Sequence, residues 1–427
     1  MQVLNAQVYN QRPDQVSFEQ LAPMPKALAN NAVVEGFDGT QYNMYSFLGI
    51  DSSKIWSGIS LDAFRFDGTS WSTIAPVPDT LGKIAASASY ANGKIYLIGG
   101  YHVLSSGAEV SSDRVHIYNP TTESWEADGA PIPIPIDDQV QAVYKDSLIY
   151  VITGWSNFGN VAAVQIYDPA NDSWQSGTPV SIIGQFRVFG GSGTIIGDTI
   201  FYAGGARNGS DFPLSDRLKR GVIDPSDPSQ IIWTEQDDIN ALRYRSGAVS
   251  ISGYPFWFGG AGVSYNFNGI AYNGSGGVDP LNNVVFRDKK DSTLSIYNNA
   301  VLPIPEIMDL RGIAKFDDNN LFIAGGMLEG QEVTDQVWKI IPAWIVGGLG
   351  DVNVELNSYP NPVNQWLNVE LKGEGLILIY NHAGILCKEA HGWAGNNAVN
   401  ISALISGLYY LEVSSELGNA STKFIKL

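Results

Sequence analysis

Hydrophobic positions along this chain come in short bursts rather than long stripes. Runs of four or five apolar residues, closed by Gly, Asn, Asp or Pro, follow one another over most of the 427 residues. That pattern predicts short β-strands joined by tight turns. The most regular burst is an apolar strand ending in Gly: YSFLG (45–49), YLIGG (96–100), YVITG (150–154), FYAGG (201–205), FWFGG (256–260) and FIAGG (322–326). An aromatic stands four residues before every closing glycine, and those glycines are 51 to 66 residues apart. A period of this size marks an array whose units bury their faces only against their neighbours.

Other features keep step with these bursts. Downstream comes a second strand ending in a turn: FRFDG (64–68), IYNP (117–120), IYDP (166–169), VIDP (222–225) and IYNN (296–299). Trp71, Trp125, Trp174 and Trp233 follow, and then a Pro-bearing connector such as APVP (75–78) or APIP (130–133). Upstream lies a strand with a small residue, expected at one fixed place: Ala32, Ala86, Ala142, Gly190, Ala248 and Ala314. Each unit reads as four short strands, the make-up of a propeller blade. Innermost strands crowd the axis and call for small side chains, and the closing glycine turns where a Cβ would clash. Trp and Tyr supply the large apolar area that packs one blade on the next.

With these residues in place, the chain resembles the kelch-repeat family. IYLIGG (95–100) with IYNPTTESW (117–125) matches the repeat closely, as does IYVITG (149–154) with IYDPANDSW (166–174). Blade 1 lacks the glycine doublet and blade 5 lacks the Trp. The resemblance covers residues 16–340 and implies an all-β, six-bladed kelch-type β-propeller. The last blade runs out after QVWKI (336–340) with no outer strand of its own. VSFEQLAPMP (16–25) has that strand's character, with Phe18 in the Trp place. The N-terminal segment is therefore expected to complete blade 6 and so remove an exposed sheet edge. Residues 1–15 precede the ring. Within them Leu4-Asn5-Ala6 before Gln7 looks like the small-residue end of a signal peptide, a possible remnant at 1–6, and an ordinary chain start fits equally.

After a linker at 341–358 the texture changes. YPNPV (359–363), LNVEL (367–371), LILIYNHAGIL (376–386), ISALISGLYYLEV (401–413) and KFIKL (423–427) predict a small immunoglobulin-like β-sandwich over 359–427. Its order of elements resembles the C-terminal sorting domain of proteins exported by the type IX secretion system of Gram-negative bacteria. The matching positions are Pro360, Asn361, Pro362, Gly384, Gly407, Tyr409, Lys423 and Lys426. The resemblance implies recognition by export machinery at the outer membrane and a secreted or cell-surface address. An ordinary spacer or carbohydrate-binding sandwich is the competing reading.

Composition narrows the chemistry. The chain carries 25 basic and 43 acidic residues, a net charge of −18, and one Cys. That argues against sequence-independent nucleic-acid binding and against an anionic membrane surface. It also excludes a disulfide scaffold. No run approaches the ~18 apolar residues of a membrane span. His102 and His116 stand too far apart for paired metal-ligand spacing, so neither metal nor cofactor is expected. Kelch-type copper oxidases need a Tyr–Cys crosslink, which a propeller without Cys excludes. Cys387 reads as a small core hydrophobe. The pairs Asp137-Asp138, Asp237-Asp238 and Asp317-Asp318 read as solvated turns.

One constellation stands out. Counting back three from each small inner-strand residue gives Ala29, Lys83, Gln139, Arg187, Arg245 and Arg311, expected to ring one mouth of the axial channel. Four of the six are basic, and Arg grips carboxylates with a planar fork. The alternative is that these side chains pair with protein carboxylates and stiffen the ring. Loops 101–114, 206–217 and 261–291 open on the same face, and the last carries Tyr265, Phe267 and Tyr272. The first functional reading is thus a secreted propeller that binds an acidic glycan or peptide at this face, without catalytic residues. A second, implied by the sialic-acid mutarotases among six-bladed kelch propellers, is a mutarotase or epimerase acting on an acidic sugar. Its proton shuttle is not apparent, since Glu306 and Asp309 are near the arginines in sequence only. A third is a structural adhesin with no small-molecule site.

Overall fold

A computed structural model describes residues 12–13, 15–289, 291–297, 303–343, 356–381, 386–415 and 418–427. The expectations for residues 1–6 and for Gly384 lie outside these. The chain forms two compact units, within Tyr9–Trp344 and within Ile345–Leu427. Among the described residues the first holds six antiparallel blades of four strands each, in chain order. Blade 1 runs Ala32–Phe37, Tyr42–Phe47, Ala63–Phe66 and Trp71–Thr73. Blade 2 runs Ile84–Ala91, Lys94–Val103, Val115–Asn119 and Ser124–Trp125, with an extra strand Glu109–Ser111. Blade 3 runs Val140–Tyr144, Leu148–Ile152, Val164–Asp168 and Ser173–Ser176. Blade 4 runs Phe189–Ile196, Thr199–Ala206, Arg217–Asp224 and Asp227–Asp237. Blade 5 runs Gly247–Ile251, Tyr254–Phe258, Val284–Arg287 and Leu294–Ile296. Blade 6 runs Ala314–Asp317, Asn320–Ala324 and Val337–Ala343. Its outermost strand is Gln15–Gln20, paired with Phe18 opposite Ile340.

The repeated residues earn their places in the joints between blades. The closing glycine of each burst donates its N–H to a carbonyl at the entry of the next blade: Gly49 to Lys83, Gly100 to Ile136, Gly154 to Val188, Gly205 to Arg243, Gly260 to Ile307 and Gly326 to Leu28, at 2.8–3.3 Å. The same carbonyl explains the first glycine in four blades. A Cβ on Gly99, Gly204, Gly259 or Gly325 would sit 2.0–2.4 Å from that oxygen, and all four have φ between 61° and 72°. Blades 1 and 3 place Leu48 and Thr153 there, also at positive φ. The Thr153 hydroxyl partly compensates by donating to the Val188 carbonyl.

The tryptophans make a second joint. The indole N–H groups of Trp71, Trp125, Trp174 and Trp233 donate to the carbonyls of Ala22, Ala75, Ala130 and Thr178, at 2.8–3.0 Å. Each acceptor immediately precedes a connector proline. Proline keeps that residue extended and its carbonyl free of any helical use. Each Trp thus bonds to the connector that follows the preceding blade's outer strand, and not to the connector that follows the Trp itself.

The second unit pairs a sheet of Ser358–Tyr359, Trp366–Leu371 and Gly395–Asn400 with a sheet of Leu386–Gly392, Gly375–Asn381, Gly407–Ser415 and Gly418–Lys426. Leu367, Val369, Ile377, Ile379, Leu411 and Phe424 fill the space between them. In the PNP segment, exposed Asn361 donates to the Lys423 carbonyl at 3.2 Å and accepts from Ile425 N–H at 2.9 Å. The motif therefore clamps the last strand. Tyr409 is buried, stacks on Phe424 at 5.6 Å and donates to the Ile405 carbonyl. Pro360, Pro362, Gly407 and Lys423 are exposed, whereas Lys426 is buried. Cys387 is exposed, not part of the core as its apolar neighbours implied, because it lies on an edge strand of its sheet.

The joint predicts a graded cost. Gly204→Ala should lose about 3–4 kcal/mol of stability, from backbone strain plus the clash with Arg243. Gly68→Ala, at φ 98° in open space, should lose only about 1–2 kcal/mol. Urea midpoints for the two variants check the difference.

Candidate functional site

Two residues beyond each of those entry carbonyls the chain turns through the left-handed region. The six residues are Asn30, Ala85, Asp138, Gly190, Arg245 and Asp309, with φ from 48° to 66°. They sit at the axis and bond to one another. Asp138 N–H donates to Ala85, Gly190 to Asp138, Arg245 to Gly190, and Asn30 to Asp309. Ala85 N–H instead takes the Asn30 side-chain oxygen, and Leu310 N–H takes the Arg245 carbonyl. This is the ring that closes the channel mouth, and it is not the one counted from the sequence. The small residues Ala32, Ala86, Ala142, Gly190, Ala248 and Ala314 lie at different heights. The residues opposite the aromatic of each burst are Val34, Ser89, Ala142, Thr194, Val249 and Ala314. The small residues therefore hold no common pairing position, and an offset counted from them lands at different places in different blades.

Of the expected basic ring only Arg245 is a member, and it is fully buried. Its Nε and Nη2 donate to both oxygens of Asp138 at 3.0 and 2.6 Å, and Nη1 donates to Asp309 at 3.0 Å. Tyr244 and Tyr265 flank the guanidinium at 5.1 and 5.6 Å. Burial works against its charge, but Asp138 and Asp309 outweigh it and hold the Arg245 pKa well above the ordinary value. Arg311 is buried beside it, donating to the Ser87 hydroxyl and the Gln139 carbonyl, with Asp138 at 3.6 Å. Two guanidinium groups and two carboxylates thus balance at the axis. Such a cluster costs about 3–5 kcal/mol when one partner is removed, because a buried charge is left behind.

The other expected residues are dispersed. Lys83 is buried, ion-paired to Asp79 at 2.9 Å and 3.0 Å from His116 Nε2, with the His116 Nδ1 on Asp128 at 2.8 Å. His102, too, approaches Asp79, at 4.0 Å. Gln139 is buried and donates to the Ile98 carbonyl. Arg187 is half-buried and away from the ring, and its carbonyl accepts from Asn160. Ala29 is buried against Ile50. Tyr265 is buried under the ring with its hydroxyl on Asp309 at 3.3 Å. Phe267 packs against the surrounding hydrophobic cluster. Glu306 is exposed, but Asp309, placed near Arg245 only in sequence, is its direct partner. Among the described residues no group of three or more His, Cys, Asp or Glu is arranged to hold a metal ion.

Arg245 and Asp138 also form the floor of a cavity of about 190 Å³. Inner strands start, and second strands end, on one face of a blade, so its walls come from the loops after the glycine bursts. Blade 2 gives Tyr101 and Glu109, and the entry to blade 3 gives Asp137. A hairpin of Trp155–Ser156 and Gly159–Asn160 gives Trp155. Blade 4 gives Phe189 and Phe212, and blade 5 gives Asn266 and Tyr272. The aromatics interlock edge to face: Trp155 on Phe189 and Phe189 on Phe212, both at 5.4 Å, and Phe212 on Tyr272 at 4.9 Å. Side chains lace the loops together. Ser111 N–H donates to the Asn157 oxygen, Asn157 N–H to the Ser111 hydroxyl and Asn160 N–H to the Asn208 oxygen. The Ser264 hydroxyl donates to the Phe212 carbonyl. The pocket is therefore preorganised.

Asp137 corrects the solvated-turn reading most sharply. It is 4% exposed, and its Oδ2 accepts the Ser111 hydroxyl at 2.6 Å. Burial, and then neighbouring Asp138, push its pKa well above the ordinary carboxyl range. Glu109 is exposed, but partial desolvation by its neighbours also raises its pKa, with Arg245 opposing. Asp238 is likewise buried, capping a short turn of helix by accepting from Asn240 N–H. Asp317, by contrast, does serve an exposed turn, accepting from Asn319 N–H. One signal in the sequence does point to the true ring. Asn, Asp and Gly tolerate the left-handed region best, and four of the six positions carry them.

The fold defines a six-bladed β-propeller joined to a small β-sandwich, and comparison with known proteins places both. Residues 85–127 match the Kelch motif, and residues 357–427 match the secretion system C-terminal sorting domain. The propeller thus carries a Kelch motif, and the C-terminal unit is a type IX sorting domain, which addresses the chain to the cell surface or the extracellular space of a Gram-negative bacterium. It is 27% identical over 247 residues to Kelch-like protein terF of Aspergillus terreus, covering 56% of this chain and 50% of that protein. It is 28% identical over 114 residues to Kelch-like protein 35 of Mus musculus, covering 26% of this chain and 17% of that one. The chain thus spans half or less of the length of these relatives. A solved structure titled "Structure of YjhT" superposes with a TM-score of 0.56 at 15% identity, covering 74% of this chain and 95% of that one. That likeness concerns the fold.

The raised pKa of Asp137 has a measurable consequence. The folded chain binds this proton more tightly than the unfolded chain, so its contribution is full below the unfolded carboxyl pKa and is lost as pH rises toward the folded value. Asp137→Asn, which keeps the neutral form, should leave stability nearly unchanged at pH 4. It should raise stability at pH 8, by up to about 1.4 kcal/mol per pH unit across the titration. Melting temperatures of both proteins at the two pH values check the sign.

Proposed function

We propose that the propeller captures one sugar residue of an extracellular glycan in the cavity over Arg245, outside the cell to which the sorting domain addresses it. The observation that carries this reading is the cavity: rigid aromatic walls interleaved with a few hydrogen-bonding groups. Aromatic faces pack against the C–H faces of a sugar ring, while Glu109, Asp137 and Asn266 have the polarity to bond hydroxyls. At about 190 Å³ the space is smaller than the ~300–1,000 Å³ typical of drug-sized ligands, which favours a single ring or a chain end. An acidic ligand fits less well than the sequence implied, because Arg245 and Arg311 already serve Asp138.

A second reading draws on Asp137 and Glu109. A buried carboxyl with a raised pKa and an exposed one lining the same pocket are the equipment for moving a proton onto and off a sugar oxygen. That supplies the shuttle the sequence did not reveal and supports a mutarotase-like or epimerase-like activity.

A glycan array probed with the whole chain should return hits, and Trp155→Ala or Tyr272→Ala should weaken each about tenfold, the equivalent of ~1.4 kcal/mol. Undiminished binding by both variants would put the site elsewhere. For the second reading, anomer exchange of N-acetylneuraminate followed by NMR should accelerate with the protein and slow with Asp137→Asn. A rate equal to the uncatalysed one removes it.

A further inference from the structure

Two carboxyl groups at the cavity stand outside the balanced axial cluster. Arg245 is matched by Asp138 and Asp309, and Arg311 leans on the same Asp138. Those four groups sum to zero. Asp137 and Glu109 remain, both facing the cavity, and among the described residues neither has a cation within ion-pair distance. Asp137 is buried, with a neutral hydroxyl, Ser111, as its hydrogen-bond donor. A buried carboxyl beside another carboxylate is an expensive arrangement unless something positive joins it. Around these two acids stand Tyr101, Trp155, Phe189 and Tyr272. The negative faces of aromatic rings attract ammonium groups, and a cage of rings with an acid at its wall is a cation receptor.

We infer that the group held in this cavity is a cation: an ammonium, as on an amino sugar, seated among Tyr101, Trp155, Phe189 and Tyr272 with Asp137 and Glu109 as counter-ions. The inference rests on the sugar-binding reading for the ring and on the cavity itself for the charge. It reverses the sign of ligand that basic residues in the sequence suggest, because their charge is consumed inside the axis. Binding is also coupled to a proton. As the ammonium enters, Asp137 ionises and releases its proton, while the Ser111 hydroxyl goes on donating to it. Affinity for the amine therefore rises with pH until the amine itself deprotonates.

The experiment titrates the full chain with glucosamine, N-acetylglucosamine and glucuronate at matched ionic strength, read by NMR shifts and by calorimetry in two buffers of different ionisation enthalpy. Glucosamine should bind about tenfold or more tightly than N-acetylglucosamine, glucuronate should bind weakest, and glucosamine should release a proton. Asp137→Asn should lose about tenfold in glucosamine affinity and all of the proton release. Its unchanged or higher melting temperature separates that loss from unfolding. If N-acetylglucosamine binds as well as glucosamine and Trp155→Ala weakens both, the pocket stands and the charge inference falls. Preference for glucuronate overturns it outright. If none of the three binds, the sugar-binding reading falls with it.

Discussion

One hydrogen bond organises the propeller: the N–H of the closing glycine of a burst donating to a carbonyl at the entry of the next blade. It recurs at all six joints, from Gly49 on Lys83 round to Gly326 on Leu28. Since the acceptor must come within 3.3 Å of the donor, the neighbouring backbone approaches too closely for a Cβ on the preceding residue. Glycine is the answer in four blades. The same closeness forces the chain, two residues on, into the left-handed turn that forms the axial ring. A sheet that must both bond sideways and turn inward has little freedom left. This is why the period survives in glycines when most other positions vary.

The axial charges follow from that ring. Six residues in the left-handed region point inward, and only short or flexible side chains fit: Asn30, Ala85, Asp138, Gly190, Arg245 and Asp309. Gly190 and Ala85 leave room, and the long side chain of Arg245 reaches across it to Asp138, from an entry two blades away. Nothing in a blade alone requires an ion pair there. The ring creates an interior that must be filled, and polar side chains already committed to the turn fill it as a balanced cluster.

The parts legible in the sequence were those where one residue type meets one local demand. Gly at 100, 205, 260 and 326, Trp at 125 and 174, and Pro after Ala75 and Ala130 each satisfy a joint repeated in register, so counting finds them. Asn361 and Tyr409 were legible for the same reason in the sorting domain. The ring was not, because register is set by pairing rather than by counting. The small residues stand at different pairing positions from blade to blade, so a fixed offset from them does not reach one ring. Arg245 was found by that offset, whereas Lys83 and Arg187 fell off the ring. Asp137 and Asp138 were missed because a turn sequence says nothing about whether the turn faces water or an axis.

The net charge of −18 and the acidic cavity belong to different ranges of the same physics. Exposed carboxylates act over roughly 8 Å at physiological salt, so the surface steers cations toward the protein and polyanions away but confers little selectivity. Asp137 is screened far less, since it lies behind aromatic walls where water cannot relax around it. Selectivity therefore resides in a few buried groups, and the outer charge governs how fast a ligand arrives. Lacing of the rim through Ser111, Asn157, Asn160 and Ser264 keeps those groups in place before anything binds. A flexible rim would let water reach Asp137 and dissipate the unpaired carboxyl that makes the cavity selective. Rigidity and the buried carboxyl are thus one design: the first is what preserves the second.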